Sequence, residues 1–261
     1  MATTLSAGVA VILHQDDSNI VEVSRRNGRS PIVLVCEHAS AHIPADLKDL
    51  GVSAAARRSH VAWDPGAMAV ARAMSQTLDA TLVSSTISRL VYDCNRPPEA
   101  PDAIPVRSEA YDVPGNRGLT NADRRARVAR YYAPFRDRLA SEIARRTDPI
   151  IVTIHSFTPV YNGQTREVEI GILHDSDSRL ADAMLRNAPR RDVRRNAPYG
   201  PKDGVTHTLK EHGLKHGHLN VMIEVRNDLI ADDASQKTMA QMLTDWMGRA
   251  LQDVGADACK G

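Results

Sequence analysis

Apolar residues in this 261-residue chain follow two rhythms. Short runs at 31–38, 80–84, 89–92, 150–155, 168–174 and 221–226 are apolar almost throughout and predict β-strands. Between them, apolar positions recur three or four residues apart. Ala67, Ala71, Met74 and Leu78 form one such stripe; Val128, Tyr132, Phe135, Leu139 and Ile143 form a second; Met239, Leu243, Trp246 and Ala250 form a third. These stripes predict helices. The second helix begins near Thr120-Asn121, where Thr120 is a good N-cap and Asp123 stands in the first turn. Shorter helices are expected near 178–187 and 206–212. Strands separated by helices imply βαβ units, and strands that are continuously apolar suit a sheet covered on both faces. The pattern therefore predicts one α/β domain over residues 31–261, a mostly parallel (mixed) twisted sheet flanked by helices. Residues 1–30 end in a turn-prone stretch and read as an N-terminal extension with little core of its own. The proline-bearing loop 95–118 is long for a mere connector.

Three strands deliver useful chemistry near their carboxyl ends, where open α/β sheets bind ligands. His38 ends the first, His155 ends another, and Glu224 and Arg226 lie on the last. Two imidazoles and a carboxylate suggest a metal centre with a general base. A catalytic zinc usually takes three protein ligands, and no local His-Glu-x-x-His motif supplies the third. The segment from His60 to Gly66 offers Asp64, with His60 as an alternative ligand or supporting partner. A histidine can also simply cap a strand, but two at strand ends beside Glu224 favour a site. Glu224 in an apolar strand is costly unless it is paired or beside a metal. It is the candidate for shuttling a proton between water and a leaving nitrogen, and a buried ion pair with Arg226 is the bland alternative. Arg89, Asn95 and Arg96 are the candidate anion handles, with Arg89 also placed to steady an oxyanion, and Arg226 and His207 join Asn95 and Arg96 as substrate-binding candidates. Arg124, Arg125, Arg127 and Arg130 read as a solvated helix face. Of the histidines at 207, 212, 216 and 218, His207 has the best prospect of reaching a pocket.

Composition narrows the partners. Lys and Arg nearly balance Asp and Glu at net charge +1, and aromatics are only 4%, so neither bulk charge nor stacking points to nucleic acid. No stretch approaches the ~18 apolar residues of a membrane helix, and Met1–Ala10 lacks the signature of a secretory leader. Cys36, Cys94 and Cys259 make no Cys-x-x-Cys pair and, being three, no disulfide framework. A cytoplasmic protein with a small-molecule ligand is expected. Neither a Walker loop, a Gly-x-Gly-x-x-Gly turn nor a Gly-x-Ser-x-Gly elbow is present.

The segments Glu37-His38-Ala39-Ser40-Ala41-His42-Ile43-Pro44, 60–67, Arg89-Leu90-Val91-Tyr92-Asp93-Cys94-Asn95-Arg96-Pro97, Ile154-His155-Ser156-Phe157-Thr158-Pro159 and Ile223-Glu224-Val225-Arg226-Asn227-Asp228 occur in this order. In them the chain resembles the N-formylglutamate amidohydrolase family. That resemblance implies a phosphorylase/hydrolase-like fold as in zinc carboxypeptidases, with a mixed eight-stranded sheet. It also implies a zinc ion held in part by His38 and His155, a glutamate base matching Glu224, an Asn-Arg pair matching Asn95-Arg96, and an oxyanion arginine matching Arg89. Carboxypeptidases place a glutamate ligand three residues after the first histidine, where this chain has Ala41. The resemblance thus leaves the third ligand to the choice of Asp64 made above. Other divalent ions suit His and carboxylate ligands too. The implied reaction is hydrolysis of an N-acyl amino acid, with N-formylglutamate giving formate and glutamate as in histidine catabolism. A non-catalytic carboxylate-binding protein, or a deacylase or peptidase of other specificity, are the alternatives.

Overall fold

The structure is a computed structural model that describes residues 19–256. Most of the predicted N-terminal extension, and Cys259, lie outside the described residues. In chain order the strands are β1 (Val21–Ser24), β2 (Ile32–Cys36), β3 (Thr81–Ser85), β4 (Arg107–Ser108), β5 (Tyr111–Asp112), β6 (Ile150–Phe157), β7 (Val160–Tyr161), β8 (Gln164–Thr165), β9 (Ile170–Leu173), β10 (Val193–Arg195) and β11 (Leu219–Arg226). The helices are α1 (Ala54–Arg58), α2 (Ala67–Leu78), α3 (Asn121–Arg127), α4 (Ala133–Ile143), α5 (Arg179–Arg186) and α6 (Asp233–Asp253). Among the described residues one seven-stranded sheet forms, in the order β1-β3-β2-β6-β11-β9-β10, rather than the eight strands that the resemblance implied. Its centre, β3-β2-β6-β11, is parallel. β1 joins one edge antiparallel to β3, so residues 21–24 of the expected extension complete the sheet. At the other side β9 runs antiparallel to β11, and β10 parallel to β9.

Alternation along the strands explains the two-sided core. Ile32, Leu34, Ile154, Ile223 and Val225 face α2, α5 and α6, packing with Met74, Leu180 and Trp246. Val33, Val35, Val83 and Ile151 face the other way, against Tyr132, Phe135, Leu139 and Ile143. By the same alternation Glu37, His155 and Glu224 fall on this second face. Thr120 caps α3 in a reciprocal arrangement with Asp123. The second predicted stripe runs through α3, a π-helical turn at Val128–Tyr132 and α4. Pro134, which cannot donate to a helix ladder, lies just past that turn. Trp246, buried on α6, donates its indole N–H to the carbonyl of Met184 at 2.6 Å.

Residues 89–92 are a chain of turns and not a strand; their apolar side chains are buried because the loop itself runs into the core. Arg127 is not solvated with its neighbours, since its guanidinium is buried against the carbonyl of Val91 and the amide oxygen of Asn116, fastening α3 to the long loop. No described helix is long and apolar enough to cross a membrane.

Candidate active site

His38 lies two residues beyond β2, and His155 is carried by β6. Asp64 arrives from the loop before α2, whose entry turn needs Gly66 at φ 81°. A Cβ at Gly66 would stand 2.5 Å from the Ile230 carbonyl. The Asp64 loop is stitched to both histidine-bearing segments: Asp64 N–H donates to the His38 carbonyl at 2.9 Å, and Ser156 Oγ–H donates to the Pro65 carbonyl at 2.8 Å.

The result is a buried cluster of three metal-ligand types. Asp64 Oδ2 lies 3.3 Å from His38 Nδ1 and 3.0 Å from His155 Nδ1, and the two nitrogens are 3.2 Å apart. Ligands about 2.0–2.1 Å from a tetrahedral ion stand about 3.3 Å from one another, so this donor set and spacing fit a divalent cation. The outer ring nitrogens point to carboxylates. His38 Nε2 is 2.7 Å from Asp93 Oδ1, and His155 Nε2 is in ion-pair range of Glu37 Oε2 at 3.1 Å, though short of hydrogen-bond alignment. Such carboxylate–imidazole pairs fix the ring orientation and the tautomer of metal-ligating histidines.

The electrostatics follow from burial in mixed company. Burial alone would raise the Asp64 and Asp93 carboxyls, but His38 acting with His155 on Asp64, and with Arg89 on Asp93, outweighs it, and both sit below the usual carboxylate range. Burial alone would lower both imidazoles; Asp93 and Asp64 reverse this for His38, and Glu37 and Asp64 reverse it more strongly for His155. Glu224 goes the other way. Pairing in register with His155 on β6 and Gly171 on β9, it is buried, and loss of hydration pushes its carboxyl up to about 7. His155 opposes that rise and Asp64 adds to it. Among the described residues Glu224 Oε2 has no hydrogen-bond partner.

His38, Asp64, His155 and Glu224 line a cavity of about 550 Å³, together with Arg89, Asn95, Arg96 and His60. The long loop after Asn95 forms one wall, through residues such as Asp102, Arg107 and Glu109. Arg89 spans the two site aspartates, with Nη1 3.3 Å from Asp64 Oδ1 and Nη2 2.8 Å from Asp93 Oδ2. Asn95 spends both ends of its amide on backbone, donating to Val205 O at 2.6 Å and accepting from Thr208 N–H at 3.0 Å. Arg96 grips Asp102 at 2.7 Å and donates to the carbonyls of Asn95 and Gly204. These two side chains therefore tie the loop to residues 203–208. His60 sits at the rim, paired with Glu109 at 2.8 Å and outside the three-residue cluster. Arg226 does not pair with Glu224: it holds Asp228 and the carbonyls of Arg166 and Glu167. His207 opens on a neighbouring cleft instead, with its Nε2 2.6 Å from the Tyr132 hydroxyl.

Sequence reasoning overlooked Glu37, Asp93, Arg166 and Tyr199. The first two had a local signal, a carboxylate adjoining His38 and one between Arg89 and Asn95. The others come from a short hairpin and an irregular loop that carry no periodic pattern.

The N-formylglutamate amidohydrolase family model matches residues 30–231. In the solved structures, gene product Atu2144 from Agrobacterium tumefaciens is 55% identical, with a TM-score of 0.89 over 93% of this chain and 98% of that one. An N-formylglutamate amidohydrolase from Ralstonia eutropha JMP134 shares the fold at 20% identity, with a TM-score of 0.63 over 90% of this chain and 98% of its own. No curated protein matches the chain.

Proposed function

The chain belongs to the N-formylglutamate amidohydrolase family, and from that premise we propose that it is a metal-dependent hydrolase of N-acyl amino acids, with N-formylglutamate as substrate and zinc as the ion. The observation that carries this reading is the buried His38–Asp64–His155 cluster with the unpartnered Glu224 carboxyl beside it. His38, Asp64 and His155 would hold the ion, with Asp93 and Glu37 orienting the two imidazoles. A divalent ion there would polarise the amide carbonyl and acidify a water. Glu224, buried beside the cluster with its Oε2 unpartnered among the described residues, is suited to take the proton from the attacking water and return it to the departing amine nitrogen. Arg89 has N–H groups left over after its two aspartates and stands in the cavity wall, so it can donate to the carbonyl oxygen as negative charge builds there. Asn95 and Arg96 act in this reading as positioning residues for the loop.

The test is release of free amine from a panel of N-formyl and N-acetyl amino acids. Cleavage that a chelator abolishes and zinc restores is the expected result. Glu224→Gln should then bind the ion normally and turn over nothing. No turnover by zinc-loaded protein on any member would overturn the reaction. Near-wild-type turnover by the variant would remove Glu224 from it.

A further inference from the structure

Among the described residues four arginines line the cavity, and three of them are engaged with carboxylates. Arg89 holds Asp64 and Asp93, Arg96 holds Asp102, and Arg107 reaches Asp112 at 3.9 Å. The fourth, Arg166, has no carboxylate partner among the described residues. It lies just past the β7–β8 hairpin, where its N–H closes the turn on the Pro159 carbonyl at 2.8 Å. Its guanidinium sits among three rings, 4.5 Å from the Tyr161 centroid, 4.7 Å from Tyr199 and 5.7 Å from Phe157. One nitrogen, Nη1, is spent on the Tyr199 hydroxyl at 2.9 Å and, at 3.5 Å, on the Thr158 carbonyl.

We infer that Arg166 is the residue that recognises the substrate's carboxylate, and that it makes this cavity select amides carrying one. Three features support this. Aromatic faces hold a guanidinium in place and partly strip its water without neutralising it. The fork left free by Nη1 matches a carboxylate in a bidentate way. Asn95 and Arg96, the alternative handles, have their polar groups committed elsewhere. Tyr199 lines the same cavity and accepts from Arg166. Loss of hydration and the nearby Glu224 raise its phenol, while Arg166 and Arg89 oppose that rise. Arg166 and the proposed proton carrier Glu224 thus line one cavity.

This inference rests on the proposed reaction only for its kinetic arm. In that arm, wild type and Arg166→Gln are assayed on N-formylglutamate, N-formylglutamine and N-formylisoglutamine, the last two each lacking one carboxylate. A charge-assisted contact predicts that wild type loses about 10- to 100-fold in kcat/KM on one of the two amides, mainly through KM. Arg166→Gln should lose as much on the diacid and nothing further on that amide, because both changes remove the same contact. Arg166→Lys, which keeps charge but not the fork, should recover part of the loss. Additive losses, or a variant equal to wild type on the diacid, would overturn the assignment.

The second arm needs no turnover. Calorimetric binding of glutarate and of its monoamide to zinc-loaded protein should show a preference for the diacid that Arg166→Gln abolishes. An undiminished preference in a variant whose thermal unfolding is unchanged would overturn it. If the preference vanishes as expected while wild type cleaves no N-formyl compound, the proposed reaction fails and the carboxylate subsite stands.

Discussion

Glu224→Gln should make the metal-free protein more stable at alkaline pH while removing its activity. The carboxyl moves from its ordinary 4.5 to about 7 because it is buried, and its Oε2 finds no partner among the described residues. The fold thus favours the neutral acid. A group raised in this way contributes stability in full below pH ~4.5, and the contribution is lost as pH climbs through about 7. At about 1.4 kcal/mol per pH unit, the interval corresponds to about 3 kcal/mol. The glutamine variant has no proton to lose, so it escapes that loss. The assay is urea unfolding of both proteins in chelator at pH ~4.5 and ~8.5. Comparing the variant with wild type at each pH cancels the titrating groups that do not interact with Glu224 and any fixed effect of the amide. The variant's relative stability should rise by about 3 kcal/mol between the two conditions. A difference that stays constant within ~0.5 kcal/mol would mean that Glu224 titrates as in an open chain, and the desolvation reasoning would be wrong.

Three further outcomes are expected. Asp93→Asn keeps the three ligands but weakens the carboxylate behind His38, so cation affinity should fall by about 10- to 100-fold in a competition titration with a chelator. Gly171→Ala places a Cβ 2.0 Å from the Ala197 carbonyl; backbone must shift, Pro198 and Tyr199 move with it, and KM should rise more than kcat falls. Trp246→Ala removes a buried side chain and its bond to Met184, and should cost about 3–5 kcal/mol in urea unfolding with metal content unchanged.

The sheet was readable because its central strands, such as 32–36 and 150–157, are apolar on both faces, a pattern short enough to separate from helix. Residues 89–92 misled for the same reason: burial alone makes a loop look like a strand when its backbone bonds to turns instead. Residues 21–24 form an edge strand whose partly exposed Val-Glu-Val-Ser alternation is too brief to stand out from a tail. At the site, strand ends pointed to His38, His155 and Glu224 because topology brings carboxyl ends together. Partnerships were less legible. Residue type marks Asn95, Arg96 and Arg226 as anion binders, yet each also bonds backbone more than 50 residues away in sequence. Nothing local in the sequence encodes such distant pairing. Arg166 was missed for the converse reason, since a lone arginine in a polar hairpin gains its meaning only from the rings that fold around it.

The placement of the three ligands has a consequence for how the molecule is assembled. His38 and Asp64 are 26 residues apart, and Asp64 and His155 a further 91, so no peptide fragment holds the cluster. A helical His-Glu-x-x-His pair can gather an ion in an unfolded chain; this arrangement cannot, because it exists only after β2 has found β6. Pairing parallel strands across such spans is intrinsically slow. An ion that recognises only the finished sheet acts as a latch, not a nucleus. It should slow the escape from the native state and leave the speed of reaching it unchanged.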